Sequence, residues 1–216
     1  MKTSLIIFDF DGTLADTTES ILATYRMSIQ ALGADSRSDA QCQSTIGLPL
    51  KEGFRQLYPG SSDSWLDECV ATYRRIFTEN KSRLVPHLYP GVREALHKLS
   101  DLGIEMSVAS SRSRASLVEF CDDSDIARYF SLILGAEDVT CAKPHPEPVL
   151  VTLGRLGKSA ADTIVVGDMP VDIAMGRGAG CRTVGVTYGN SSSSALIQAG
   201  VDSLIDSFSE LLSLVC

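Results

Sequence analysis

Short apolar, β-prone runs recur along this chain of 216 residues, at 5–8, 104–109, 131–134, 163–166 and 183–186, and helical patterns separate most of them. Strands that alternate with helices build right-handed βαβ units, so these runs belong in a mainly parallel sheet covered on both faces. The expected fold class is α/β with a doubly wound parallel sheet. In such sheets ligands lie beyond the carboxyl ends of the strands. Chemistry is therefore to be sought where each run stops.

One connection is too long for a crossover helix. After the first run, no strand pattern returns until about residue 104, and residues 15–88 are helical in character throughout. Ile21, Leu22, Tyr25, Ile29 and Leu32 mark one apolar helix face. Leu48-Pro49 introduces a second helix at "LKEGFRQLY", and "SWLDECVATYRRIFTEN" is a third. Asp16 with Glu19 fits a capping box for the first of them. The reading is a helical subdomain, 15–88, inserted into a core made of 1–14 and 89–216. "VREALHKLSDLG" then reads as a core helix that ends at Gly103.

The net charge of −8 excludes the basic footprint of a nucleic-acid binder and disfavours anionic membranes. The six cysteines form no CxxC pair and no cluster with zinc-ligand spacing, so they read as reduced thiols of a cytoplasmic protein. "MKTS" and four apolar residues are too short for a signal-peptide core, and no apolar run approaches the ~18 residues of a membrane span.

Four stretches at strand ends could carry chemistry. The first run leads into Asp9, Phe10, Asp11, Gly12 and Thr13. Alternation along a strand would put both carboxylates on one side, where they stay ionised only near a cation. A plain strand end with a turn reads equally well. "VVGDMPVD" repeats the pattern, with Asp168 at a strand end, Pro170 opening a helix, and Asp172 in its first turn, where an acid also suits the helix dipole. Carboxylates gathered on neighbouring strand ends make a hard-oxygen site suited to Mg²⁺. In "SVASSRS" a strand ends at Ser110, with Ser111 and Arg112 opening the next helix, which suits a phosphate oxygen or is an ordinary serine cap. "KPHPEP" is a rigid turn that holds Lys143 ahead of a helix. His145 reads as a turn residue there. "GRGAG" at 176–180 lies at a helix end and reads as termination and packing, and "NSSSSA" at 190–195 as a loop with a serine cap.

In this order and context the four stretches resemble the motifs of the haloacid-dehalogenase-like superfamily of phosphatases. "DFDGTLADT" is similar to its first motif, Ser110 to its second, Lys143 in "KPHP" to its third and "GDMPVD" to its fourth. The insert at 15–88 resembles the helical cap of many members. "IGLPL" and "PGVREALHKL" are similar to the phosphoglycolate-phosphatase-like branch.

The resemblance implies a Rossmann-like core with an inserted all-helical cap. It implies a Mg²⁺-dependent phosphatase that hydrolyses a small phosphomonoester, phosphoglycolate-like by preference, through an aspartyl-phosphate. Asp9 would be the nucleophile and Asp11 the acid/base. The metal would be held by Asp9, the Asp11 main-chain carbonyl and Asp168, with Asp172 behind them. Gly12, Thr13, Ser110, Ser111 and Lys143 would bind phosphate. Arg112 is a further candidate for the substrate, as are Lys51 and Arg55, four apart on one helix face beside the "TIGLPLKEG" loop (45–53). The expected partner is a small phosphorylated metabolite, with no nucleic acid and no membrane, and the chain a monomer or homodimer. The alternatives are a phosphomutase of the β-phosphoglucomutase type, a haloacid dehalogenase, which needs neither Asp11 nor Asp168, and a receiver-like phosphate acceptor, whose paired acids precede its phosphorylated Asp.

Overall fold

Strand β1 (Leu5–Phe8) leads through the two-residue strand β2 (Ala15–Asp16) into helices α1 (Thr18–Ala31), α2 (Asp39–Gln43), α3 (Leu50–Leu57) and α4 (Asp63–Asn80). The chain returns through β3 (His87–Leu88) to α5 (Val92–Asp101), β4 (Glu105–Ala109), α6 (Arg114–Asp123), β5 (Leu132–Leu134) and α7 (Glu147–Leu156). It closes with β6 (Thr163–Gly167), α8 (Pro170–Gly178), β7 (Arg182–Val186), α9 (Ser193–Gln198), β8 (Ser203–Ile205) and α10 (Leu211–Val215). The computed structural model describes residues 3–215.

Six strands form one parallel sheet in the order β5-β4-β1-β6-β7-β8. This is the expected doubly wound α/β sheet, extended at one edge by β8, whose two apolar residues lie between Asp202-Ser203 and Asp206 and do not stand out as an apolar run. Strand β1 lies at its centre, with Ile6 opposite Met106 on one side and Ile164 on the other. The chain leaves β1 towards β4 and later returns to its other flank at β6. The crevice at the strand ends there is the topological switch point where α/β sheets bind ligands.

The sequence of β1 explains its position. All four side chains are fully buried. Leu5 and Ile7 pack with Val149, Leu153 and Met175 from α7 and α8. Ile6 and Phe8 face the opposite layer, with Val92 and Leu96 of α5, Leu117 of α6, and Phe208. A strand buried on both faces must be apolar at every position, not at alternate ones. Each such side chain contributes roughly 1.5–3 kcal/mol on burial.

Helices α1–α4 have an apolar cluster of their own, with Tyr25, Ile29, Phe54 and Leu66 at its centre. The ends of this excursion meet in an antiparallel ribbon, where Ala15 pairs with Leu88 and Asp16 with His87. The ribbon accounts for one departure from the sequence reading. Asp16 lies in β2, and its carboxylate accepts from the Thr18 backbone N–H at 3.3 Å, while Thr17 begins α1 without a side-chain cap. Glu19 turns to Arg26 at 3.0 Å, so the expected capping box does not form. Helix α2 was hidden because its five residues, capped by the Ser38–Gln41 box, bury only Cys42. Among the described residues, Cys42, Cys69, Cys121, Cys141 and Cys181 are free thiols. No helix among them is long and apolar enough to cross a membrane.

Candidate active site at the carboxyl edge of the sheet

Two strand ends, a helix start and a loop deliver buried charge to one point. Asp9 follows β1 directly, and its N–H donates to the Val166 carbonyl at 2.8 Å, which carries the pairing one step beyond the strand. Asp168 follows β6, and Asp172 sits in the first turn of α8. Asp9 is 3% exposed, Asp168 0% and Asp172 1%. One carboxylate oxygen from each lies within 4.8 Å of the others. Lys143, from the loop before α7, donates to Asp9 Oδ1 at 2.5 Å and to Asp172 Oδ1 at 2.7 Å.

One ammonium does not balance three carboxylates. Burial pushes the Asp9 carboxyl well above its ordinary range against the pull of Lys143, and Asp172, Asp168 and Asp11 push it further. Asp168 is pushed up to about 7 by burial and then by Asp172. Burial alone would lower Lys143, but Asp172 and Asp9 hold it above its usual value. A group of hard oxygens with surplus negative charge is the environment a divalent cation satisfies.

Neutral groups fix the cluster. The Thr13 hydroxyl lies 3.3 Å from Asp168 Oδ1 and 3.5 Å from Asp9 Oδ2. Gly12 has φ +85°, and a Cβ there would stand 2.1 Å from Asp168 Oδ2, so only glycine lets the loop approach the carboxylate so closely. Asn190 was read as part of a biased loop. Its backbone N–H and its Nδ2 donate to Asp168 Oδ2 at 2.7 and 3.0 Å. The signal for it was position, since Gly189-Asn190 follows β7, the strand beside β6.

Ser110 follows β4 directly, and its Oγ accepts from the Arg112 backbone N–H at 3.2 Å. Helix α6 does not open at Ser111-Arg112 as expected. Residues 110–112 form a turn, and the helix starts at Arg114 behind the Ser113 cap. This moves both side chains. The Ser111 hydroxyl, expected on phosphate, donates to the Gly47 carbonyl at 2.7 Å and ties the 45–53 loop to the core. Arg112 donates to the Asp11 carboxylate through Nη2 at 2.6 Å and Nε at 3.2 Å.

A cleft of about 760 Å³ opens above these groups. Asp9, Asp11, Ser110 and Arg112 line its floor, and Tyr25, Ile46, Tyr73 and Phe77 line its helical wall. Lys51 lies on its rim, but Arg55 lies outside it. The two do share a face of α3, and carboxylates on α4 oppose that face. Lys51 pairs with Asp67 at 2.6 Å, and Arg55 pairs with Glu52 and with Asp63 at 2.6 Å. Their charge is thus paired within the helical insert, with Lys51 at the rim of the cleft and Arg55 outside it.

A second trio, Cys141, His145 and Glu147, brings potential ligand atoms together at the surface. Glu147 already accepts from the N–H groups of Thr140 and Cys141 at 2.8 and 2.7 Å, and His145 Nδ1 from that of Glu147 at 3.1 Å. These bonds shape the entry to α7.

Comparison with known proteins agrees with this geometry. The family model described as haloacid dehalogenase-like hydrolase matches residues 6–186. The chain is 36% identical over 210 residues to the protein named probable phosphatase IndB of Dickeya dadantii, covering 96% of this chain and 91% of that one. It is 30% identical to a phosphoglycolate phosphatase of Salmonella typhimurium, covering 96% and 90%. A haloacid dehalogenase-like family hydrolase from Streptococcus pneumoniae shares the fold with a TM-score of 0.87 at 21% identity, over 99% of each chain. Asp9, Lys143, Asp168 and Asp172 all fall inside the matched span, and the chain belongs to the haloacid dehalogenase-like hydrolases, as a phosphatase.

Proposed function

We propose that this phosphatase hydrolyses a small phosphomonoester, phosphoglycolate-like by preference, in two steps through an aspartyl-phosphate on Asp9, with Mg²⁺ as its cofactor. The observation that carries this reading is the buried meeting of Asp9, Asp168 and Lys143 beneath a cleft that Asp9 and Asp11 line. An Asp9 oxygen attacks phosphorus, and the ester oxygen leaves with a proton from Asp11. Asp11 then takes a proton from water, whose oxygen attacks the same phosphorus and frees Asp9. The Ser110 hydroxyl and the Lys143 ammonium hold the remaining phosphoryl oxygens, where charge spreads in the transition state. Asp172 keeps Lys143 in place and is itself fixed by the Met169 N–H at 3.0 Å.

The surplus charge and all-oxygen donor set fit Mg²⁺, held by Asp9, Asp168 and the Asp11 main-chain carbonyl. When bound, the ion neutralises the repulsion between an anionic nucleophile and an anionic phosphate. The helical insert is the cap over this site. The acidic chain with free thiols suits a cytoplasmic enzyme acting on a small metabolite.

Asp11→Asn is expected to slow turnover by ~10²–10⁴-fold, most strongly for esters with poor leaving groups. Unchanged turnover of a simple alkyl phosphate would remove Asp11 from the acid/base role. Chelation is expected to abolish activity and Mg²⁺ to restore it. Full activity after exhaustive chelation would favour dehalogenase-type chemistry.

Metal affinity should also depend on pH. A carboxyl raised to about 7 binds a proton that the unfolded chain has already lost, so Asp168 destabilises the metal-free fold progressively as pH rises from its unfolded value towards 7. A cation and that proton compete for the same oxygens. Mg²⁺ affinity measured by calorimetry should climb from about pH 5.5 to 7. Affinity independent of pH over that interval would contradict this.

A further inference from the structure

Arg112 takes no part in the steps above, yet it is the most firmly fixed cation of the cleft. Its guanidinium lies 5.7 Å from the Phe10 ring centre and 5.4 Å from that of Phe77. Its Nη1 donates to the Ser116 hydroxyl at 3.0 Å, and its backbone N–H is held by Ser110. The side chain is 10% exposed and that of Asp11 12%. The cleft's other cations are placed differently. Lys51 is taken by Asp67, Lys81 by Glu119, and Arg74 is exposed on α4.

We propose that Arg112 reads a carboxylate on the leaving group of the substrate, and that this carboxylate takes the place of Asp11 on the guanidinium. The inference rests on the phosphatase reading and assigns its preference for a small phosphorylated acid to one residue. The Asp11 carboxylate shows that the fork, as positioned, accepts a carboxylate at two points. Asp11 must also face the ester oxygen to serve as its proton donor. While Nε and Nη2 both bind it, the carboxylate is committed to Arg112. A substrate carboxylate one carbon from the ester oxygen reaches the floor beside Asp11 and exchanges with it. Recognition of the acid and release of the proton donor become one event. A neutral ester of the same size leaves Asp11 on Arg112 and turns over slowly even when bound. The discrimination therefore falls on kcat as well as KM.

The test compares phosphoglycolate with ethyl phosphate, with Mg²⁺ present, for the wild type, Arg112→Met and Arg112→Lys. Met keeps an unbranched side chain between the two rings but removes the fork. Lys keeps the charge without the two-point geometry. The wild type is expected to prefer phosphoglycolate in kcat/KM by about 10²-fold or more, Met to lose most of that preference, and Lys to recover part of it. The ratio of the two substrates cancels any uniform loss from a perturbed fold. Wild-type hydrolysis of both esters without preference would overturn this inference, and the phosphoglycolate preference with it, and leave the two-step phosphatase chemistry intact. Equal losses on both esters in Arg112→Met would make the arginine structural, and loss of preference in Arg74→Ala instead would place recognition on α4. Failure of the wild type to hydrolyse any phosphate ester would overturn the underlying reading itself.

Discussion

Asp9→Asn is expected to lower phosphatase turnover by roughly 10⁴-fold or more, because it removes the attacking oxygen and not merely a favourable contact. The fold should survive. The amide has the shape of the carboxylate, and Lys143 keeps Asp172 as its buried counter-ion at 2.7 Å. Removing one of three crowded carboxylates also relieves repulsion, so the metal-free variant should melt at or above the wild-type temperature. Steady-state kinetics with a thermal melt separates the two effects. A variant that keeps a tenth of the wild-type rate would exclude an aspartyl-phosphate on Asp9.

Lys143→Met should damage stability as well as rate. It strands Asp9 and Asp172, 3% and 1% exposed, without the only ammonium that touches them among the described residues. Breaking a buried pair by removing one partner costs about 3–5 kcal/mol. The sign of the pH response follows from the direction in which Asp9 is already displaced. Its carboxyl is raised with Lys143 present, and without Lys143 it rises further. The variant should be nearest to wild type in acid, where Asp9 takes up a proton, and fall away as pH rises through neutrality. Mg²⁺ should recover part of the loss by supplying the missing positive charge. Denaturant titrations at several pH values, with and without the ion, measure this. Wild-type stability at neutral pH without metal would show that Lys143 does not neutralise the site.

The strand ends were legible because a strand buried on both faces leaves a plain apolar run, and the acid that stops it stands out. Asp9 and Asp168 were found in this way, as was the long helical detour after β1. What escaped depended on distant partners. Asn190 sits in a polar stretch with no local pattern, and only the adjacency of β6 and β7 brings it to Asp168. Arg112 was already a candidate for the substrate, but it was read with Ser111 as opening a helix, and the Ser110 turn that keeps it outside α6 and aims it at Asp11 was not legible. Lys51 and Arg55 were correctly placed on one helix face. Glu52 pairs with Arg55 from the same helix, but Asp63 and Asp67 lie on the next one, and helical spacing alone does not reveal what a face meets.

The central position of β1 also sets the order in which the chain can be completed. The strand that carries Asp9 has no sheet partner until β4 at Glu105–Ala109 has been made, and its second flank waits for β6 at Thr163–Gly167. During synthesis at about 5–20 residues per second, β1 spends roughly 5–20 s outside the ribosome with all its apolar side chains unpaired. The helical insert has no such delay, since α1, α3 and α4 supply most of one another's contacts and lie close in sequence. The nascent chain is therefore expected to fold its helical segment first, tethered to a sticky strand. Chaperone binding during translation should concentrate on the first dozen residues and end once β6 emerges.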